Sequence, residues 1–483
     1  MPRANSPRFT MEVFLDAQPY QKDILEKRFE AARQLYNELL AATWRRYVEM
    51  TKTLEYRLLM VQLEGCAADD RKIVIDSLRE IRVRFGINEN AFQTEIIEMR
   101  KRHKKHIDSQ TAQKLATRLF TAFTDLVFGK GKSIHYKKHG SIKSLESKAN
   151  ETGIRYKDGN FVWGKLKIPA IIDHCNPYET SAMENEIAFC RIVRKQIRGK
   201  TQYYLHIVFK GCPPPKISKE TGELTRRLGH GDVGLDIGTQ TIAISGESDV
   251  KLLELADRVQ HFDAQIQSMQ GVMERSRRAT NPDNYNPDGS VKKQGQERMV
   301  WQKSKRYLRL EQELHELFRK QAAVRRQQHH ELSNEILGIG DKVYVEKMSF
   351  EGLQRCAVGT TMLFRKSIAL KGPSALLRIL DNKLRFQKTQ LNFIDTYAVK
   401  ASQYNHFDES YTKKKLCQRW NNINGDKVQR DMYSAFLIMN VGDDLRSIDR
   451  DKCIVRYKKF LALHNVEVQR LKCKNNLISM GIM

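Results

Sequence analysis

The sequence predicts a mixed α/β protein that carries additional all-helical and strand-rich lobes. Three observations lead there. Apolar residues recur at helical spacing from about residue 20 to Phe128; strand patterns replace them from Ser133 to Lys210; and the second half alternates short apolar strands with long helices. At 483 residues the chain has room for roughly two to four domains and a substantial core.

Near the start, "RFTMEVFLDA" alternates apolar and polar residues and reads as a strand. In the segment that follows, Ile24, Leu25, Phe29, Ala32, Leu35, Tyr36 and Leu39 share one helical face. Within the helical region, "RKRHKKH" (Arg100 to His106) is expected to place cations on every face of a helix. Arg100, Lys101, Arg102, Lys104 and Lys105 are therefore candidate nucleic-acid contacts, weighed against a merely solvated face. "AFCRIVRKQIRGKTQYYLHIVFK" predicts a hairpin turning at Arg198 and Gly199. The N-terminal strand is expected to join that sheet, which makes the helical block an insertion. Residues 211–232, rich in Pro, Gly and charge, read as a linker. Beyond it come the strands of "HGDVGLDIGTQTIAIS", then helices over about Leu252 to Arg278 and Trp301 to Leu337, separated by the polar loop 280–295. "DKVYVEKM" is a strand, "ALLRILDNKLRFQKTQLNFI" a helix with a basic face, and "VQRDMYSAFLIMNV" the last helix.

Charge narrows the partners. The chain has 84 Lys and Arg against 57 Asp and Glu, a net +27, which is the footprint of a polyanion-binding protein. A membrane partner is not expected, because no apolar run approaches a span and the start carries no signal-peptide core. The eight cysteines (Cys66, Cys175, Cys190, Cys212, Cys356, Cys417, Cys453 and Cys473) form no C-x-x-C pair, so reduced thiols and a cytoplasmic location are expected.

Against that basic background three carboxylates stand out. In "VGLDIG", strand alternation sends Val233, Leu235 and Ile237 toward a core, and Gly234, Asp236 and Gly238 to the opposite face, which the glycines are expected to leave open. In "DKVYVEKM", Val343 and Val345 share the buried face and Tyr344 and Glu346 the other. In "RDMYSAFLIMN", Met432, Ala435, Phe436 and Met439 form a docking stripe, and Asp431 begins the helix, where the positive helix end favours its ionised form. Singly, such residues read as a turn former, a solvated edge and a helix cap. Gathered together, three carboxylates repel unless cations intervene. Two Mg²⁺ ions, with Mn²⁺ as a substitute, match hard oxygen ligands and suit phosphodiester hydrolysis.

These segments resemble the three RuvC motifs of transposon-encoded TnpB nucleases and the compact type V CRISPR effectors. The resemblance extends to "YQKDILEKRFEAARQLYNELL", "GNFVWGKLKIPAI", "GKTQYYLHIVFK" and the helix before the second motif. It implies a ribonuclease-H-like RuvC domain, a wedge β-barrel and a helical recognition insertion. By that resemblance residues 1–15 and 129–210 form the wedge, 16–128 the recognition domain, 211–232 the linker, 233–400 and 431–483 the RuvC domain, and 401–430 a target-nucleic-acid-binding lobe. It also implies that Asp236, Glu346 and Asp431 are catalytic metal ligands. Guide RNA and double-stranded target DNA are the implied partners, with base pairing reading the target and the protein reading a short flanking motif.

Two departures stand out. Asn405, Asp408, Cys417 and Trp420 stand where the family carries four zinc-binding cysteines. One soft ligand does not hold a structural zinc, so no zinc is expected; a mixed site using His406 and Asp408 is the alternative. Packing of Tyr404, Phe407, Tyr411 and Trp420 is expected to hold the lobe instead, with Lys413, Lys414 and Lys415 as further candidate DNA contacts. Tyr433 replaces the family's asparagine two residues after the third acid. Rival functions are a guided repressor that does not cut, a transposase, and an actin-like ATPase suggested by "GLDIGTQT". The ATPase needs a Gly-Gly adenosine motif, and the chain has no Gly-Gly pair.

Overall fold

The computed structural model describes residues 7–65, 70–129, 131–218, 220–226, 228–292, 299–355, 362–415, 417–473 and 480–482. Cys66, Cys356 and residues 293–295 of the predicted polar loop lie outside them. The chain divides into two compact units, Met1–Glu220 and Thr221–Met483, and the division falls inside the predicted linker.

The first unit runs β1 (Arg8–Leu15), α1 (Pro19–Lys52), α2 (Leu54–Gly65), α3 (Arg71–Arg84), α4 (Glu89–Arg100), α5 (Ser109–Val127), β2 (Ser144–Glu146), β3 (Ile154–Lys157), β4 (Asn160–Trp163), β5 (Leu166–Ile171), α6 (Pro177–Met183), β6 (Ile187–Ile197) and β7 (Lys200–Lys210). Pro19 opens α1, and the Gln18 amide donates to Gln21 Oε1 at 2.8 Å to close its first turn. Leu25, Phe29, Ala32, Leu35, Tyr36 and Leu39 are buried as the spacing predicts, while Ile24 is half-buried. The strands form one antiparallel sheet in the order β2-β6-β7-β1-β5-β4-β3. β1 joins it between β7 and β5, so α1 to α5 are an insertion, as expected. Arg198 and Gly199 take φ values of 50° and 75°, the paired left-handed conformation of a tight hairpin. The sheet curls until β3 lies against β6; no strand pairing closes it into a barrel among the described residues.

The basic run departs from the expected helix. α4 ends at Arg100, and residues 101–103 form a single tight turn. Every residue from Arg100 to His106 carries a cationic or imidazole side chain, and the run lies close in sequence to the α5 cap. Asp108, two residues beyond the run, caps α5 by accepting the Thr111 amide at 2.9 Å.

The second unit contains β8 (Asp232–Ile237), β9 (Thr241–Gly246), β10 (Val250–Glu254), α7 (Gln260–Thr280), α8 (Lys305–Ile339), β11 (Lys342–Glu346), α9 (Phe350–Arg355), α10 (Met362–Lys371), α11 (Pro373–Phe386), β12 (Asn392–Ile394), α12 (Thr396–Val399), β13 (Trp420–Ile423), β14 (Asp426–Gln429), α13 (Arg430–Met439) and α14 (Arg450–Lys472). Five strands form a sheet in the order β10-β9-β8-β11-β12; the first three are antiparallel, and β11 and β12 run parallel to β8. One face packs Val233, Leu235, Ile237, Val343 and Val345 against Ile336 and Leu337 of α8 and Leu376, Leu380 and Leu384 of α11. The other face is covered by α13 and α14.

Several expectations are corrected here. Leu252 belongs to β10, because Lys251 to Glu254 pair with β9 before α7 begins. α8 starts at Lys305, with Ser304 accepting the Tyr307 amide at 3.1 Å, and not at Trp301. The predicted helix through Ile394 ends at Phe386, and Asn392 to Ile394 add a strand to β11. α13 is not a one-sided stripe: all eight residues from Met432 to Met439 are buried. Nor is it the last helix, for the 23-residue α14 follows it. The face of β8 opposite the core is not open either, since α13 lies directly on Gly234.

Candidate active site

Asp236 and Glu346 reach the same place because of register. β8 and β11 are parallel and adjacent, with Val343 opposite Val233 and Val345 opposite Leu235. Strand alternation then turns Asp236 and Glu346, the next residues, toward the α13 face at the carboxyl ends of neighbouring strands. In open α/β sheets, that end is where ligands bind. Asp431 occupies the first turn of α13, which packs on β8, β9 and β11.

The electrostatics tie the three acids together. Burial raises the Asp236 pKa well above the usual carboxylate value, and the negative charges of Asp431 and then Glu346 raise it further. Arg430 and a hydrogen bond with Ser434 act in the opposite sense. Burial also raises the Glu346 pKa. Carboxylates that oppose one another's ionisation favour a cation between them, and oxygen-only donors of this chemistry fit Mg²⁺ or Mn²⁺. Among the described residues, no group of three or more His, Cys, Asp or Glu side chains is placed so that it could hold a metal ion.

Arginine occupies the third acid. Arg430 grips Asp431 Oδ1 through Nε at 2.9 Å and Nη2 at 2.8 Å, and Arg419 Nη1 lies 3.5 Å from Oδ2. Gln429 also reaches this carboxylate. Its Oε1 accepts the Met432 amide at 2.8 Å as the cap of α13, and its Nε2 lies 3.4 Å from Asp431 Oδ2. The Gln429 amide in turn donates to His464 Nε2 at 3.0 Å, so α14 anchors the cap. Arg419, Gln429, Arg430, Ser434 and His464 were not singled out by the sequence. Gln429 and Arg430 directly precede the acid, and that proximity was the available signal; Arg419 and His464 left none.

The lobe preceding α13 is built differently from the expectation. Tyr404, Phe407 and Trp420 pack on one shared core, and Tyr411 reaches it through Tyr404, but the four rings meet different partners. Tyr404 and Tyr411 pack together, with centroids 5.0 Å apart; Phe407 packs on Tyr457; and Trp420 meets His464 and donates from Nε1 to the Gly481 carbonyl at 2.7 Å. A hairpin of β13 and β14 completes it, turning on Asn424 and Gly425 at φ 50° and 91°. The centre of the lobe is His406, fully buried among Phe407, Tyr433, Phe436 and Tyr457. The Tyr433 hydroxyl accepts the His406 amide at 3.3 Å and lies 2.7 Å from its Nδ1. His406 Nε2 faces the aromatic cage without a hydrogen-bond partner. Asp408 instead accepts the Ser410 amide and hydroxyl at an exposed turn, so His406 and Asp408 do not converge as ligands.

The candidate nucleic-acid contacts divide. Arg100 donates to the Ile107 carbonyl at 3.2 Å, Lys101 pairs with Glu98 and Arg102 with Glu38, while Lys104 and Lys105 are exposed. Lys413 and Lys415 are exposed. Lys414 is half-buried, and its pKa is lowered by burial and then by the charge of Arg430.

No family model matches this chain, and no curated protein does.

Among the described residues no helix is long and apolar enough to cross a membrane.

Proposed function

We propose that the protein is an RNA-guided DNA endonuclease that cuts phosphodiester bonds in a divalent-metal-dependent reaction. The observation that carries the reading is that Asp236 and Glu346 stand at the carboxyl ends of neighbouring parallel strands, where the negative charges of Asp431 and Glu346 oppose the ionisation of Asp236. The sheet, with parallel strands at its centre and the acids at their carboxyl ends, supports the ribonuclease-H-like assignment. The charge of +27 supports a nucleic-acid partner, and the guide RNA and flanking-motif recognition follow from the sequence resemblance.

Asp236 and Glu346 would hold the metal ions from the strands, and Asp431 from the helix. Divalent ions bound there supply Lewis acidity and neutralise charge on the phosphate being cut. The chain's own contribution is placement: the sheet holds two carboxylates in register, and Gln429 and Arg430 hold the third. Arg430 and Arg419 set positive charge against Asp431, which attracts a phosphate backbone to the same point.

The test is to isolate the protein with its bound RNA, sequence that RNA, and offer a matching duplex with and without Mg²⁺. Cleavage confined to the Mg²⁺ reaction is expected. One observation favours a second reading, a guided repressor: arginine already neutralises Asp431. Tight guided binding with intact DNA in Mg²⁺ and in Mn²⁺ would decide for the repressor.

A further inference from the structure

We infer that the tip of the α7–α8 helical hairpin is a docking site for single-stranded nucleic acid, in which a base stacks on Trp301 and the adjoining phosphates meet Arg275, Arg278 and Lys292. The site requires nucleic acid as the partner but takes no part in hydrolysis.

The tip is a built surface. Trp301 is 38 % exposed, the most open of the four tryptophans. Its position is fixed by the chain on either side: Asn281 Nδ2 donates to the Gln302 carbonyl at 2.9 Å, the Gln302 amide returns a bond to Asn281 Oδ1 at 2.7 Å, and Asn284 Nδ2 donates to the Val300 carbonyl at 2.8 Å. Arg277 lies over the indole at 4.5 Å, and Tyr285 meets it edge-on at 5.8 Å. An indole held this firmly loses little conformational entropy on receiving a stacked base.

Beside it, Arg275, Arg278 and Lys292 line an open depression floored by Tyr285. All three are exposed, and none has an acidic partner among the described residues. The acid that lines the depression, Glu274, is already engaged: it accepts the Tyr285 hydroxyl at 2.9 Å and pairs with Arg277 at 3.4 Å. Tyr285 itself is buried, with Arg278 over its ring at 5.2 Å, so that cation stands on a fixed aromatic base. Cations that track a phosphate backbone beside a flat, exposed aromatic face are the two parts of a single-strand site, and a duplex, whose bases are stacked internally, could use only the first.

The test uses the full-length protein and short oligouridine and oligothymidine carrying 5-iodouracil. Irradiation is expected to join the base to Trp301. Trp301→Ala combined with Arg275→Gln and Arg278→Gln should weaken oligonucleotide binding about tenfold, while Trp301→Phe should restore most of the loss contributed by the ring. The salt dependence should also become shallower, by roughly 0.7 in the log–log slope for each phosphate that is no longer neutralised. Binding of either polymer in this pattern supports the site and says which sugar it accepts. Crosslinks only at other residues, or affinity and salt slope unchanged in a triple variant that melts like the parent, would overturn it. Absence of cleavage by the parent protein would sink the endonuclease reading and leave this result untouched.

Discussion

Gly234 of β8 lies so close beneath Ala435 of α13 that a Cβ at position 234 would overlap the Ala435 carbonyl oxygen and the Met439 amide. The opposing atoms are backbone, which cannot rotate away. The small residue two positions before Asp236 thus does something other than clear a path for substrate. It lets the helix that carries Asp431 settle onto the strand that carries Asp236, and so sets the spacing of two of the three acids.

Gly234→Ala should therefore destabilise the protein by about 3 kcal/mol, because α13 has to lift from the sheet. Thermal melting checks this. Gly238→Ala, whose added Cβ would meet nothing nearer than the Thr241 carbonyl oxygen at 3.4 Å, should cost well under half as much. Equal losses in the two variants would show that the close approach is not what the glycine serves.

Tyr433→Phe should cost about 1–3 kcal/mol, since it strips the partner from both the His406 amide and the His406 ring in a site closed to water. Because these bonds and the aromatic cage hold the lobe, a zinc-selective chelator should leave the melting temperature of the parent unchanged. A large drop on chelation would mean that a metal holds the lobe together.

Acid should destabilise the protein through its buried histidines. Burial pushes His406 and His329 down to about 4 from the usual 6.5. Between those values the unfolded chain takes up protons that the folded chain refuses. Stability is therefore complete above about pH 6.5 and falls as pH drops toward 4, by up to roughly 3 kcal/mol for each residue. Melting curves from pH 7.5 to 4 read this directly. His406→Gln, which retains an acceptor for Tyr433, should flatten part of the slope.

Asp236→Ala should reduce cleavage at least about a hundredfold, more than is typical for a group one step removed from a metal. Guided DNA binding, measured by gel shift, should remain near the parent level. Loss of both together would make Asp236 a structural residue. Removing the negative charge should also raise the melting temperature of the metal-free protein, since burial and two neighbouring acids already oppose its ionisation.

Gln429→Ala removes the α13 cap and one partner of Asp431. The cap should cost about 1 kcal/mol of stability. As a positioning residue, Gln429 should also affect turnover at saturating substrate and leave binding little changed. Gln429→Asn, which keeps the amide on a shorter stem, separates the two effects if it restores the cap but not the rate.

Much of the sheet was legible because strand parity is a local property. Val233, Leu235 and Ile237 had to face one way and Asp236 the other, and Val343 and Val345 had to oppose Glu346; the structure places them so. The α1 face was legible for the same reason at helical period. α14 was missed because its buried stripe includes His464 and Glu467, whose polarity hides the period and whose hydrogen bonds to the Gln429 and Leu252 amides exist only in the folded chain. The hairpin of β13 and β14 was missed although Asn424–Gly425 signalled it.

The sequence by itself determined which residues could face a core and which carboxylates were spared from it, since alternation and helical period act over a few neighbouring residues. It also determined the excess of positive charge. Only the tertiary structure decided that β8 would pair with β11, more than a hundred residues away, and that α13 would be buried on every side. It alone placed Arg430 and Arg419 on Asp431. Those outcomes depend on strand register and on the close approach of a helix to Gly234. Contacts between distant segments are stabilised by the packing of the whole unit and leave no period in the chain.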